Sequence, residues 1–278
     1  MSDRPIRLCV LGLGLLGASV AMAARRRGLA SHIAGWSHRA STRDAAVARA
    51  VVDAAHEAPD QAVRDADLVV LASTVSTIPA VAASIVASAA PNAIVTDVGS
   101  TKRLIVEQCT AALGPRFIGS HPMAGGEKTG LEHARADLFD RAICIVTPTS
   151  SNAPSDVVSL EHFWTQLGST TVRLDPAEHD RLVALVSHLP HAVAAGLVAV
   201  QSDLSMKLAG PGFRDSTRIA ASDPALWRDI FLDNADASIA SADKLIDWLE
   251  GFRAALISRN GPQIERLLRE PSDRRKPL

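Results

Sequence analysis

The stretch "GSHPMAGGEKTG", residues 119–130, sets His121 beside a proline, with four glycines and the pair Glu127 and Lys128 around it. Glycines at this density let the backbone turn tightly and approach a ligand closely. The stretch ends the apolar run "RFIGS", which reads as the fifth strand of the chain. A histidine in such a place can accept a proton from an alcohol. A second loop, "TDVGSTK", follows the strand "AIVTDV" and carries Ser100. If the two strands are neighbours, the Ser100 hydroxyl would hold the imidazole in its useful tautomer. The competing reading is a loop histidine that merely caps a turn.

Near the amino terminus "VLGLGLLGAS" gives Gly12, Gly14 and Gly17 the G-x-G-x-x-G spacing, after a first strand and at the opening of a helix. In that context the spacing is a dinucleotide fingerprint. Gly12 makes the tight turn, Gly14 admits a pyrophosphate to the backbone, and Gly17 lets helix and strand pack. The free amides of Leu15 and Leu16 then face the anion. Ser73 and Thr74, beyond the strand "DLVVLA", are expected at the same cofactor. The second strand ends "AGWSHRAST", with Ser37, His38 and Arg39 where an enzyme preferring NAD carries Asp or Glu. A hydroxyl and a guanidinium suit the extra phosphate of NADP, which a carboxylate would repel. NADP is therefore favoured over NAD, the alternative being a solvated Arg39 stacked on adenine.

These residues need a scaffold, and the chain supplies one. Apolar runs of strand length ("IRLCVLG", "HIAGWS", "DLVVLAS", "AIVTDV", "RFIGS") alternate with helix-period segments, and two weaker strands, "AICIVT" and "TTVRL", flank a helix around "LEHFWTQLG". Such alternation implies an α/β fold, a parallel sheet with helices on both faces. From Pro176 onward only helical periodicity is found; Leu245, Ile246, Leu249, Phe252 and Leu256 fall on one side of a late helix. A sheet domain over 1–175 and an all-helical domain over 176–278 are expected. The apolar faces of the helical half imply a homodimer.

Composition removes other classes. The 278 residues carry 29 basic and 30 acidic side chains, net −1, so no footprint for nucleic acid or an anionic membrane is present. Cys9, Cys109 and Cys144 form neither a disulfide framework nor a metal spacing, which suits a reducing cytoplasm. "MSDRPIRLCV" lacks a signal-peptide layout, the tail "DRRKPL" reads as a solvated end, and no stretch reads as a membrane span.

The helical half holds a second cluster. His188 and His191 lie three apart around Pro190, read as a first helical position, and "GPGFRDSTRIAASDPALWRDI" adds Arg214, Arg218 and Trp227. Arginine suits a bidentate grip on a carboxylate. Zinc would need ligands beyond the two histidines, and no H-E-x-x-H pattern occurs. A surface ion pair for Arg214 and a core role for Trp227 are the plain alternatives.

Taken in order, "GLGLLGAS", "TDVGSTK", "GSHPMAGGEKTG", "VSHLPHAVA" and "GFRDSTRIAASDPALWRDI" resemble the prephenate and arogenate dehydrogenases of tyrosine biosynthesis, over nearly the whole chain. The resemblance implies a Rossmann domain followed by a helical dimerisation domain, with the active site between them. It implies His121 as the catalytic histidine on the ring hydroxyl, assisted by Ser100, with Arg218 on the substrate side-chain carboxylate. His191 and Glu127 would line the pocket, Trp227 would wall it, and the residues around Gly212 and Asp215 would lie on a loop reaching the neighbouring subunit. The reaction implied is oxidative decarboxylation of arogenate or prephenate with hydride transfer to NAD(P)+. "WSHR" looks like the strand end of NADP-using members. The side chains of prephenate and arogenate differ in a keto versus an ammonium group, which these motifs do not separate. A β-hydroxyacid or imine type of reductase, or a non-catalytic NADP-sensing dimer, are the alternatives; neither calls for a histidine in an H-P-M-A-G loop.

Overall fold

The computed structural model describes residues 5–276. The first four residues and the last two of the basic tail, for which expectations are stated above, lie outside them. The strands β1 (Ile6–Leu11), β2 (Ala30–Trp36), β3 (Ala54–His56), β4 (Leu68–Leu71) and β5 (Ile94–Asp97) form a parallel sheet in the order β3-β2-β1-β4-β5. The crossovers are α1 (Leu15–Arg26), α2 (Ala40–Ala48), α3 (Pro59–Ala62) and α4 (Ile78–Ser84), and α5 (Arg103–Leu113) follows β5. This is the doubly wound order of a mononucleotide-binding half.

Alternate residues of the central strands go to opposite faces. Leu8 and Val10 of β1, with Leu68 and Val70 of β4, join one core; Cys9, Leu11, Val69 and Leu71 join the other. Both faces are covered, which is why these strands read as unbroken apolar runs. In the first core Trp164 meets Phe139 and Phe163 edge-on, with ring centroids 5.6 and 5.7 Å away. Each such buried ring contributes roughly 1.5–3 kcal/mol.

Three features depart from the sequence expectation. β3 was not foreseen: three half-buried residues are too short to show a period of two. His121 therefore stands on the sixth strand, not the fifth. β6 (Gly119–Pro122) runs antiparallel to β7 (Ile143–Thr147), whereas β7 and β8 (Thr170–Arg173), joined by α6 (Pro154–Gln166), are parallel. These three strands form a second, mixed sheet in the order β6-β7-β8, beside the parallel five-stranded one. The residues between β6 and β7 supply no helix able to carry the chain back to the starting edge, so the strand returns alongside its predecessor.

From Pro176 the described residues are helical. α7 (Pro176–Val183) is capped by Asp175, whose carboxylate accepts from the amides of Ala177 and Glu178 at 2.8 and 3.3 Å. A π-helical turn, Ala184–His188, leads into α8 (Leu189–Ala199). Pro190, which sits inside this helix rather than opening a new one, has no N–H and crowds the carbonyl four residues back, so the turn before it widens. Contrary to expectation, Pro176–Ala199 is long and apolar enough by length and composition to cross a membrane. Its buried polar side chains, His179, Asp180, His188 and His191, are instead turned into the fold described below. α9 (Asp203–Lys207), α10 (Pro211–Thr217), a 3-10 turn (Arg218–Ala221) and α11 (Pro224–Asp233) follow.

The chain divides into two compact units, Met1–Asn234 and Ala235–Leu278. The second holds α12 (Ala235–Ile257) and α13 (Gly261–Arg275). Ile246, Leu249 and Leu256 of α12 are about half exposed in the single chain, at 50%, 48% and 51%.

Candidate active site

At the end of β1 the backbone of Gly12 has φ 114°, and a Cβ there would lie 2.4 Å from the carbonyl oxygen of Ala72. A Cβ on Gly17 would lie 1.9 Å from the carbonyl oxygen of Gly12. Gly14, between them, has open space on its side-chain face. It is the N-cap of α1 without a side-chain cap, and the first turn holds no acidic residue. The amides of Leu15, Leu16 and Gly17 therefore have no partner within the helix and point outward with its positive end. An anion such as a pyrophosphate fits this cradle.

The edges of the cradle are placed by pairing. Gly12 N–H donates to Trp36 O at 2.9 Å, so Ser37 begins beside the turn. Ser37 is buried and its Oγ accepts from the Arg39 amide at 3.4 Å, while His38 and Arg39 are exposed. Arg43, which sequence reasoning passed over, donates to the Ser37 carbonyl at 2.8 Å and adds a second guanidinium at this strand end. Ser73 follows Ala72 against Gly12, and its buried Oγ has no partner. Thr74 turns its hydroxyl to Thr77, 3.0 Å away.

The second group lies at the ends of β5 and β6. Phe117 bridges Val95, and Ser120 N–H donates to Asp97 Oδ1 at 3.1 Å, so the two strands are neighbours as the reading of the loops required. His121 is buried with 7% of its surface exposed. Its Nδ1 lies 2.9 Å from His179 Nε2, and His179 Nδ1 lies 2.8 Å from Asp180 Oδ1. Asp180 also accepts the amides of Lys102 at 2.7 Å and Arg103 at 2.9 Å, which open α5. Asn234 donates through Nδ2 to the Asp180 carbonyl at 2.9 Å. Lys102 and Asp97 form an ion pair with no exposed surface on either side chain.

Burial, reinforced by the charges of His179, Lys102 and His188, holds the His121 pKa well below the usual histidine range. Burial likewise lowers His179, against the raising effect of Asp180. Burial alone would raise the Asp180 carboxyl, but hydrogen bonds from His179 and the two amides outweigh it and keep the pKa low. At neutral pH the cluster is thus two neutral imidazoles on a carboxylate.

The contact expected to set the His121 tautomer is made by His179 rather than by Ser100. Ser100 is half-buried three residues beyond Asp97. His191 stacks on Trp227, with centroids 3.6 Å apart and planes at 9°, and its Nδ1 is buried without a partner. His188 faces Asn234 Nδ2 at 3.2 Å, and burial pushes its pKa down to about 4. Arg218 pairs with Glu127, bringing the 3-10 turn and the glycine-rich loop together. Arg214 is exposed on α10, and its side chain has no ion-pair partner among the described residues.

A dinucleotide cradle on a doubly wound sheet, with a buried neutral histidine at the strand ends, defines the frame of a nicotinamide-linked dehydrogenase. Comparison with known proteins narrows it. Residues 20–173 match the family model "Prephenate dehydrogenase, nucleotide-binding domain", and residues 175–270 match "Prephenate dehydrogenase, dimerization domain". The chain belongs to the prephenate dehydrogenase family. It is 32% identical to the cyclohexadienyl dehydrogenase of Zymomonas mobilis, over 91% of this chain and 89% of that protein. The solved prephenate dehydrogenase of Aquifex aeolicus, in complex with hydroxyphenyl propionate and NAD+, superposes with a TM-score of 0.92 at 30% identity, covering 99% of both chains. The arogenate dehydrogenase of Synechocystis superposes with 0.84 at 33% identity, covering 98% of this chain and 100% of that one.

Proposed function

We propose that the protein is a cyclohexadienyl dehydrogenase that oxidatively decarboxylates arogenate, prephenate or both, yielding tyrosine or 4-hydroxyphenylpyruvate, with NADP as its preferred cofactor. One observation carries this reading: His121 is neutral, buried and held at Nδ1 by His179, which leaves Nε2 as a base. The glycine cradle would hold the pyrophosphate of a nicotinamide dinucleotide, which when bound would supply the hydride acceptor. His121 Nε2 takes the proton of the ring hydroxyl, and Ser100, on the loop after β5, is read as the serine that assists it. Arg218 leaves Glu127 for the side-chain carboxylate of the substrate, a bidentate pairing. Trp227 and His191 wall the ring. The ring carboxylate departs as carbon dioxide and the ring becomes aromatic, so the protein has mainly to position groups and stabilise developing charge.

Support for both substrates comes from relatives that are named for cyclohexadienyl, prephenate and arogenate substrates. Glu127, once free of Arg218, offers a partner to the arogenate ammonium. Support for NADP comes from Ser37, His38, Arg39 and Arg43 at a strand end that carries no carboxylate; the Aquifex aeolicus relative was solved with NAD+. We place the boundary between cofactor and substrate domains at Asp175 and Pro176, and read the assembly as a cytoplasmic homodimer, since the second matched family model is a dimerization domain and all three cysteines are free.

The test is absorbance at 340 nm with each substrate and each cofactor, for the wild type and for His121→Asn. Reduction in at least one pairing is expected, and the variant should lose about 10²- to 10⁴-fold in turnover while still binding the cofactor. Silence in all four pairings overturns the reading, and an unchanged variant removes His121 as the base.

A further inference from the structure

We propose that His179 and Asp180 are positioning residues for this reaction: they hold His121 in its Nδ1–H tautomer and share the proton it takes from the substrate. The inference rests on His121 being the base. It begins at Asp180, whose ionised carboxylate can only accept. Facing Asp180 Oδ1 at 2.8 Å, His179 Nδ1 must therefore be the donor. A neutral His179 then has its lone pair on Nε2, so the 2.9 Å contact requires His121 Nδ1 to donate. The free lone pair of His121 is on Nε2 by elimination.

The same chain offers the proton a second seat. When the substrate O–H bond breaks and an N–H bond forms at His121 Nε2, the proton on His121 Nδ1 can pass to His179 Nε2. His179 keeps its Nδ1 proton on the bond to Asp180, and no electrons change hands. Transfer between two imidazoles is nearly balanced because their intrinsic proton affinities are alike; transfer from imidazole to carboxylate is not. The charges also balance. Lys102 and Asp97 neutralise each other, so the cluster carries the single negative charge of Asp180 at rest and none after proton uptake. His188 from the π turn and Cys144 from β7 also face the His121 cluster, Asp233 faces Asp180, and the Arg103 charge acts on Asp233. A structural role for Asp180 alone, as a cap for α5, would need neither His179 in line nor His121 beyond it.

Three measurements test this. In the ligand-free wild type, nitrogen-15 NMR of His121 should show the proton on Nδ1; a proton on Nε2 overturns the proposal. In Asp180→Asn the protonated pair loses its counter-charge, so its proton affinity falls. The acid limb of kcat/KM should move down by about one pH unit and kcat should drop at least about 10-fold; an unmoved limb in the folded variant overturns it. His179→Gln keeps an acceptor for His121 and a donor for Asp180 but cannot take the proton. It should retain the Nδ1–H signal and lose about 10-fold or more in kcat; wild-type turnover at every pH overturns proton sharing, and carries the test if the Asn variant does not fold. The NMR result needs no substrate. A correct tautomer with no activity in the wild type therefore sinks the reaction assigned above, whereas activity with the wrong tautomer sinks only this inference.

Discussion

Lys102 and Asp97 pair with each other out of reach of solvent, and the carboxylate is shared. Asp97 Oδ2 also accepts from Gly99 N–H at 2.8 Å, and Oδ1 from Ser120 N–H at 3.1 Å. One side chain thus fixes the loop that carries Ser100 and the strand that carries His121. The Lys102 amide, through Asp180, ties both to α7.

Removing the cation while leaving the anion should therefore be costly. Lys102→Met leaves Asp97 charged and buried, and breaking such a pair from one side costs about 3–5 kcal/mol. Urea unfolding should show that loss. The double variant Lys102→Met with Asp97→Asn should recover part of it, because no uncompensated charge remains. A single variant as stable as wild type would show that the pair does not hold the site together.

Two glycines of the first turn, Gly17 and Gly14, should respond differently. Gly17→Ala puts a methyl 1.9 Å from a backbone oxygen, so α1 must move off β1. Overpacking of this kind costs about 1–3 kcal/mol. Gly14→Ala meets open space and should leave the melting temperature within a degree or two of wild type. Its methyl would stand where the pyrophosphate is expected, so dinucleotide affinity should fall in a fluorescence titration. Equal affinity in Gly14→Ala and wild type would place the phosphates elsewhere.

Much of this was legible beforehand because it is local. The glycine spacing carries its own geometry, and an H-P-M-A-G loop after a strand marks His121. What was not legible is long-range. His179 stands 58 residues from His121 and reads, in "AEHD", as an ordinary polar pair at the start of a helix. The packing of α7 against α5 and β7 turns it inward. Asp97 and Lys102 gave one available signal, a carboxylate at the end of an otherwise uncharged strand and a lysine five residues on. β3 and the antiparallel β6 were missed for related reasons: a three-residue strand has no period, and strand direction is set by what covers the neighbouring edge.

The cofactor preference is a matter of one strand end. Ser37→Asp would set a carboxylate beside the glycine turn, where it accepts from a ribose and repels a phosphate. The ratio of kcat/KM for NADP over NAD should fall by about 10-fold or more, equivalent to about 1.4 kcal/mol. A wild type that already prefers NAD would show that Arg39 and Arg43 serve the fold rather than the phosphate.

Stability should fall as the solution is acidified from neutrality. His188 has a folded pKa of about 4, against an ordinary value near 6.5, and burial is the main cause. A depressed histidine pKa means that the unfolded chain binds the proton first. Its contribution is full above about pH 6.5 and is lost as pH falls toward 4. His121, His179 and His191 are shifted in the same direction and add to the slope. Urea midpoints measured between pH 7 and 4 should drop steeply in the wild type and less steeply in His188→Gln. Parallel curves would mean that His188 is not buried as a neutral ring.

The face of α12 gives the last prediction. Ile246, Leu249 and Leu256 are each about half exposed in the single chain, along with Ile239 at 59% and Ile257 at 70%. A soluble protein rarely leaves so many large aliphatic side chains on one helix in water. The dimerization-domain match covers residues 175–270, which include this helix. A second copy of the chain is the occupant that a two-fold interface supplies, since the same face then serves both subunits. Sedimentation should give twice the mass of the 29.3 kDa chain. Leu249→Glu combined with Ile246→Glu would place two charges per subunit in that interface, uncompensated on either side. The variant should sediment as a monomer or aggregate at micromolar concentration, because burying unpaired carboxylates costs several kcal/mol. A dimer that survives both charges would assign the contact to another face of the helical region.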